Sequence, residues 1–327
     1  MNGRRVGAAV SLVLMLGLAS TTPASCGSTP PATPAPIAAS SPVPVPTPVA
    51  PSSSAPASAT PAEAVLLAAG DIASCSSSGD EATARLLDEL PGTVATLGDA
   101  AYPNGSAANF RACYGPGWGR HSARTRPAPG NHEYESARAA PYFAYFGTLA
   151  GDPSKGYYSY ELGAWHVVVV NSNCAEVGGC GTGSAQERWV RADLAASGAR
   201  CTLAYWHHPL FTSGANHPPA VEMRPIFTAL YEAGAEVVLA GHNHQYERFA
   251  PLAPDGQLDP GRGIRSFVVG TGGASHYAFG RVRPNSEARD ATTFGVLRLV
   301  LRADGYDWRF VPVPGGRFTD AGSGSCH

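Results

Sequence analysis

Lysine is almost missing from this chain: Lys155 is the only one among 23 basic residues. Charge of either sign is scarce, at 15% of residues, and 25 acidic side chains leave a formal net charge of −2. Such a balance gives no basic footprint for a nucleic-acid backbone. The preference for arginine, alongside many Ala, Gly and Pro, reflects genome composition and carries no functional weight. After residue 19 no apolar run is long enough to cross a bilayer. Residues 27–62 lack charge and aromatic side chains and hold eleven prolines. That segment cannot bury enough apolar surface to fold, so it is expected to be a disordered linker.

What is present sets the compartment. "MNGRR", the apolar run Val6 to Ala19 and the small residues around "TPASCGS" follow the order of an export signal over residues 1–26. Cys26 stands after "PAS", which partly fits a lipoprotein processing box, but Pro23 occupies the place where leucine is preferred. Membrane anchoring through a lipidated Cys26 and ordinary cleavage nearby both stay open. The body, residues 63–327, is therefore expected to be secreted or attached to the cell envelope. Without Arg4 and Arg5 the chain has 21 basic against 25 acidic residues. The body holds six cysteines, Cys75, Cys113, Cys174, Cys180, Cys201 and Cys326, and in an exported domain these suggest three disulfides. Fifteen pairings are possible. Our expectation is Cys75 with Cys113, Cys174 with Cys180, and Cys201 with Cys326.

Several short apolar runs in the body end on glycine or a polar residue able to bind metal or substrate. "AVLLAAGD" reaches Asp71, "TVATLGDAAY" reaches Asp99 and Tyr102, and "RPAPGNHE" reaches Asn131 and His132. "CTLAYWHHP" reaches His207 and His208, and "EVVLAGHNH" reaches His242 and His244. Helical patterns lie between them at Asp80 to Leu90, Ser184 to Ala196 and Ala220 to Ala233, so strands alternate with helices. "YYSYELGAWHVVVVNS" reads as two strands turning at Gly163. "SFVVGTGG" reads as a strand, and "TFGVLRLVLRADGYDWRFVPV" as a hairpin turning at "ADG". The expected fold is α/β, with two mixed β-sheets packed face to face and helices outside. In such sheets ligands bind beyond the carboxyl ends of the strands, where these polar residues fall.

A lone aspartate after a strand is usually a turn or a cap. Carboxylate, amide and imidazole donors at successive strand ends are the donor set of a metal site. The ordered blocks "GD" (Asp71), "GDAAY" (Asp99, Tyr102), "GNHE" (Asn131, His132), "HHP" (His207) and "GHNH" (His242, His244) resemble those of the calcineurin-like metallophosphoesterases, purple acid phosphatase type. The resemblance covers about residues 64–280 and extends to "GHNHQYER" and to "QERW" from Gln186 to Trp189. Many members carry a first block GDxH; here Ala73 stands at the histidine position, and Tyr102 is the replacement expected in the purple acid phosphatase branch.

The resemblance implies a catalytic domain over 63–327 with two metal ions. Asp71, Asp99, Tyr102 and His244 would hold the first and Asp99, Asn131, His207 and His242 the second, with Asp99 bridging. A phenolate oxygen suits Fe(III) at the first site, with Fe, Zn or Mn at the second. Residues two apart on an extended strand end point to one side, so His242 and His244 are expected to face one site, with Asn243 pointing away. His132 is expected to reach the phosphate, steadying charge or protonating the leaving oxygen, with His217 as a second substrate-side histidine. His208 is the less favoured member of its pair. Arg111, Arg120, Arg124 and His276 default to surface or turn roles.

The implied activity is hydrolysis of a small phosphate monoester by metal-activated water, in the manner of an acid phosphatase. A phosphodiesterase or nucleotidase with the same metal site is the alternative, because specificity would lie in loops such as 102–124 and 209–222. A non-catalytic envelope protein with structural metals is the reading of another class. Oligomeric state is not legible.

Overall fold

The computed structural model describes residues 63–327; the export signal and linker assigned to 1–62 lie outside the described residues. Thirteen strands form among the described residues, most of them on apolar and β-branched runs. One sheet holds β1 (Ala64–Ala69), β2 (Thr93–Leu97), β3 (Thr125–Ala128), β11 (Gly295–Leu301), β12 (Gly305–Pro312) and β13 (Ala321–Ser325). Its order is β13-β12-β11-β1-β2-β3. The other holds β4 (Tyr158–Leu162), β5 (Trp165–Val169), β6 (Cys201–Tyr205), β7 (Val237–Ala240), β8 (Tyr246–Leu252), β9 (Ile264–Val269) and β10 (Ser286–Asp290). There the order is β10-β8-β9-β7-β6-β5-β4. Both sheets are mixed. β1, β2 and β3 run parallel, as do β5, β6, β7 and β9, while β1–β11, β11–β12, β12–β13, β4–β5, β8–β9 and β8–β10 are antiparallel.

The layers follow from the period of two along each strand. Val167 and Val169 on β5 enter one core with Leu66, Leu203, Phe267 and Leu299, which lie on both sheets. Val168 and Val170 face the opposite way, into a second core with Val190, Ile226, Phe227 and Leu230. Those four come from α5 (Ala185–Ala196) and α6 (Arg224–Glu232), so the helices cover the outer face of the second sheet. Burying each such side chain contributes roughly 1.5–3 kcal/mol, which makes the alternation decisive for register. α1 (Gly79–Glu89) packs against the first sheet through Leu86 and Leu87. Short helices α2 (Ala107–Asn109), α3 (Asn131–Tyr134) and α4 (Ala140–Phe146) fill the stretch between β2 and β4.

The expected two-sheet α/β fold is what the structure shows. α1 and α5 lie within a residue of their predicted spans, whereas the helix expected over Ala220 to Ala233 is a 3₁₀ turn, Val221–Met223, followed by α6. Pro225 lies in the first turn of α6, where its missing N–H costs nothing. β8, β10 and β13 were not read from the sequence. β10 and β13 are edge strands of "SEARD" and "AGSGS", with no apolar alternation to betray them. All three disulfides pair as expected, and Cys201–Cys326 joins β6 to the end of the chain beside β13. The Trp165 indole reinforces that junction by donating to the Arg302 carbonyl at 2.7 Å.

Candidate metal centre

The carboxyl ends of the parallel strands converge. Asp71 follows β1, Asp99 and Tyr102 follow β2, Asn131 follows β3, His207 follows β6, and His242 and His244 follow β7. Asp71, Asp99 and His242 have positive φ, at 59°, 49° and 70°. Such backbone costs energy for any residue but glycine, and it persists where surrounding bonds over-determine it. Those bonds are present: the Asp71 amide donates to the Gly98 carbonyl at 3.1 Å, and the His242 amide donates to Asp71 Oδ2 at 2.8 Å. Gly241 is required by contact, since a Cβ there would stand 2.7 Å from Asp71 Oδ2 and 2.8 Å from the Leu97 carbonyl oxygen.

The histidine pair corrects the reasoning from an extended strand. β7 ends at Ala240, and residues 242–245 form a bend in which His242 is left-handed. Both rings still reach the site, because the turn brings them there. Asn243 does point elsewhere: its Nδ2 donates to the His217 carbonyl at 3.2 Å, which fixes the loop carrying His217.

Asp99 Oδ2 lies at the centre, 3.0 Å from the Tyr102 hydroxyl and 3.2 Å from His207 Nε2. On one side the Tyr102 hydroxyl also meets Asp71 Oδ1 at 3.1 Å and His244 Nε2 at 3.0 Å. On the other side His207 Nε2 meets Asn131 Oδ1 at 3.0 Å and His242 Nδ1 at 3.2 Å. His207 Nδ1 faces the Leu97 carbonyl at 2.8 Å, and a carbonyl can only accept, so that nitrogen carries the proton. Nε2 of the neutral ring is then a bare lone pair directed at a carboxylate and an amide oxygen. Buried lone pairs facing one another need a cation between them, either a proton or a metal. The donors of both halves, oxygen and imidazole nitrogen joined by one carboxylate, fit a pair of metal ions.

Electrostatics agree. Burial opposes the His207 imidazolium, but the Asp99 carboxylate outweighs it and pushes the ring up to about 9. Burial likewise opposes Asp99 ionisation, and His207 nevertheless holds that carboxyl far below its usual range. His242 is pushed far down by burial and by His207 and His208. Burial, then the charges of Asp99 and Asp71, raises the Tyr102 phenol well above its normal value. The shifts come from burial together with the close approach of two carboxylates and three imidazoles.

His132 sits at the mouth, 28% exposed, with its ring centroid 4.5 Å from that of Tyr102. Its Nδ1 contacts the Pro103 carbonyl and lies 3.2 Å from Glu135 Oε1, and its Nε2 lies 3.8 Å from Asp99 Oδ2. The His217 ring stacks on His242 at 4.0 Å. His208 is nearby too, 4.4 Å from His242 between centroids, with Nδ1 held by the Ser172 hydroxyl at 2.8 Å. Burial and His207 push it down to about 3. None of the three arginines has a contact with these residues. Arg124 binds the carbonyls of Leu87, Leu90 and Gly92 at the end of α1, and Arg120 pairs with Asp88.

Sequence reasoning missed three supports. Glu133 is fully buried, and its carboxylate accepts from the amides of Asp99, Ala100 and Gly130 at 3.0, 2.9 and 2.7 Å. It stood inside "GNHE" and could have been found there. The Ser172 oxygen accepts from the amides of His207 and His208 at 3.2 and 2.9 Å. Tyr277 stacks on His244 at 3.8 Å, whereas its neighbour His276 stacks on Phe294 at 4.0 Å. No local signal distinguishes those two.

Such a centre, at the strand ends of two stacked mixed sheets, defines a metallophosphoesterase. The chain belongs to the calcineurin-like phosphoesterase family, whose model matches residues 62–246. Over 225 residues it is 28% identical to purple acid phosphatase 15 of Arabidopsis thaliana, covering 58% of this chain and 41% of that one. Purple acid phosphatase 21 of the same plant is 30% identical over 198 residues, covering 54% and 44%. The chain thus spans less than half the length of these curated relatives. Among solved structures, the yellow lupin purple acid phosphatase superposes with a TM-score of 0.66 at 17% identity, over 81% of this chain and 54% of that one. GAP50, the anchor in the inner membrane complex of Plasmodium, gives 0.62 at 11% identity, over 81% and 89%. These two likenesses concern the fold.

Proposed function

We propose that the protein is an exported hydrolase of small phosphate monoesters that works with two metal ions. The observation that supports this most is Asp99, one carboxylate oxygen set between the Tyr102 hydroxyl and the His207 lone pair. Asp71, Asp99, Tyr102 and His244 would hold one ion, and Asp99, Asn131, His207 and His242 the other. Tyr102 favours Fe(III) in the first position, with Fe, Zn or Mn in the second. The three disulfides support a place outside the cytoplasm, secreted or on the envelope, and Cys26 would be the lipidated residue if the chain is anchored.

When bound, the two ions supply the charge that polarises the phosphoryl oxygens and brings water within reach of deprotonation at neutral pH. The rest of the work belongs to side chains. With Nδ1–H engaged by the Pro103 carbonyl, the proton that His132 can transfer is the one its imidazolium form carries at Nε2, on the side of Asp99. That proton passes to the alcohol oxygen as the P–O bond breaks. His217, stacked on His242 and with its carbonyl held by Asn243, would present its ring to the phosphate. Glu133 and Ser172 hold the backbone that positions Asp99 and His207.

The test is hydrolysis of 4-nitrophenyl phosphate by protein from its native host, with and without chelator, alongside elemental analysis and a visible spectrum. Two metals per chain including iron, a phenolate-to-Fe(III) absorption band and chelator-sensitive turnover are expected. Metal without turnover would point to a binding protein, and no metal would refute the centre.

A further inference from the structure

His207 and His208 stand side by side after β6, yet their ring nitrogens are engaged in opposite ways. His207 gives its Nδ1 proton to the Leu97 carbonyl at 2.8 Å, which leaves Nε2 as a lone pair for metal. The tautomer of His208 follows from Ser172. The buried Ser172 oxygen accepts the amide protons of His207 and His208, at 3.2 and 2.9 Å, and a hydroxyl oxygen has only two lone pairs. Both are then in use. The third contact of that oxygen, to His208 Nδ1 at 2.8 Å, must be made by the hydroxyl's own proton. Nδ1 therefore accepts, and the proton of the neutral ring lies on Nε2.

That assignment separates the two neighbours by chemistry. With Nδ1 taken by Ser172 and Nε2 carrying hydrogen, His208 has no lone pair left for a metal. What it has is a donor beside the second ion's proposed ligands. Its ring centroid lies 4.4 Å from that of His242 and 4.8 Å from that of His207, and it shares a cavity wall with Asn131. Among the described residues Nε2 has no hydrogen-bond partner, and the ring is half-buried. Resting on the phosphoesterase reading, we infer that His208 donates its Nε2–H to a non-bridging phosphoryl oxygen on the second-ion side. Hydrogen bonds to an anionic acceptor are about twice as strong as neutral ones. A neutral donor also sets no further positive charge against the ion.

The experiment uses two variants of the metal-loaded full chain, which divide the two nitrogens between them. His208→Asn keeps an amide near Nδ1 for Ser172 and has no distal donor, whereas His208→Gln carries NH₂ out to the distal position and gives up the Ser172 contact. Calorimetry with inorganic phosphate is free of turnover. Affinity should fall about tenfold in the Asn protein and stay within about threefold of wild type in the Gln protein. The kcat/KM for 4-nitrophenyl phosphate should follow the same order. Equal affinities in the two variants, or the reverse order, would overturn the inference, and so would loss of metal from both by elemental analysis, which would make His208 a ligand. The wild-type protein supplies a test without substitution. Long-range proton–nitrogen correlation NMR of its zinc-loaded form should place the His208 proton on Nε2 and show that resonance moving as phosphate is added. A proton on Nδ1, or no response to phosphate, would refute the donor. If no ester is hydrolysed while phosphate affinity keeps the expected order, the phosphoesterase reading fails and the donor stands; if esters are hydrolysed without that order, the donor alone fails.

Discussion

Glu133 touches no candidate substrate position, yet replacing it should disturb both stability and turnover. Its two oxygens accept three backbone N–H groups, from Asp99, Ala100 and Gly130, and it is fully buried. Leaving a buried donor unpaired costs about 1–3 kcal/mol. In Glu133→Gln the cheaper orientation keeps oxygen on the Asp99 and Gly130 amides and turns NH₂ towards Ala100. One bond is lost, so destabilisation of about 2 kcal/mol is expected. Glu133→Ala loses all three and also leaves a void, which should bring the loss to about 5 kcal/mol after partial relaxation. The same bonds hold the loops bearing Asp99 and Asn131, so the Gln protein should lose about tenfold or more in kcat/KM through misplacement alone. Urea unfolding of the oxidised protein, followed by tryptophan fluorescence, measures the first effect, and hydrolysis of 4-nitrophenyl phosphate at matched metal content the second. An Ala variant within 1 kcal/mol of wild type, with normal turnover, would refute the clamp.

Other expectations are independent of Glu133. Asp99→Ala should lose bound metal and activity together, by elemental analysis and assay, because one oxygen serves both halves of the centre. His132→Ala should keep its metal and lose about 10²–10⁴-fold in kcat on alkyl phosphates, and less on aryl phosphates that need no proton on departure. Replacing Cys201 and Cys326 by serine opens a loop with a sequence separation of 125 residues. The chain-entropy relation puts the loss at about 5 kcal/mol, readable as a lower urea midpoint. Asp80 is buried with Oδ1 lacking a partner, and burial, reinforced by Glu81, raises its carboxyl to about 7. Its folded value lies above the unfolded one, so its contribution to stability is complete below pH ~4 and is lost as pH rises through about 7. Asp80→Asn should therefore stabilise the fold by about 2 kcal/mol at pH 8 and have little effect at pH 4, measured by unfolding at both values.

Much of the site was legible because the chemistry sits where strands end. Apolar runs of strand length closed by Gly-Asp, Gly-Asn-His or Gly-His-Asn-His mark both the sheet and its ligand-facing edge, and local pattern encodes each one. The spacing inside "GHNH" was legible as well, but not its geometry: His242 and His244 share a site through a left-handed turn, which no alternation rule anticipates. β10 and β13 were hidden because edge strands pair through backbone and need no apolar period.

What the sequence determined by itself is therefore the candidate donors at the strand ends, their order along the chain and the two-sheet layering, since these depend on residue type and local period; the division of the donors between two ions was implied by the family resemblance. Tertiary structure alone decided that Tyr277 rather than His276 packs on the centre and that Glu133 secures two of its loops. Those relations join residues from separate loops. Their distances are set by how the two sheets and their helices stack, and no stretch of chain contains that information locally.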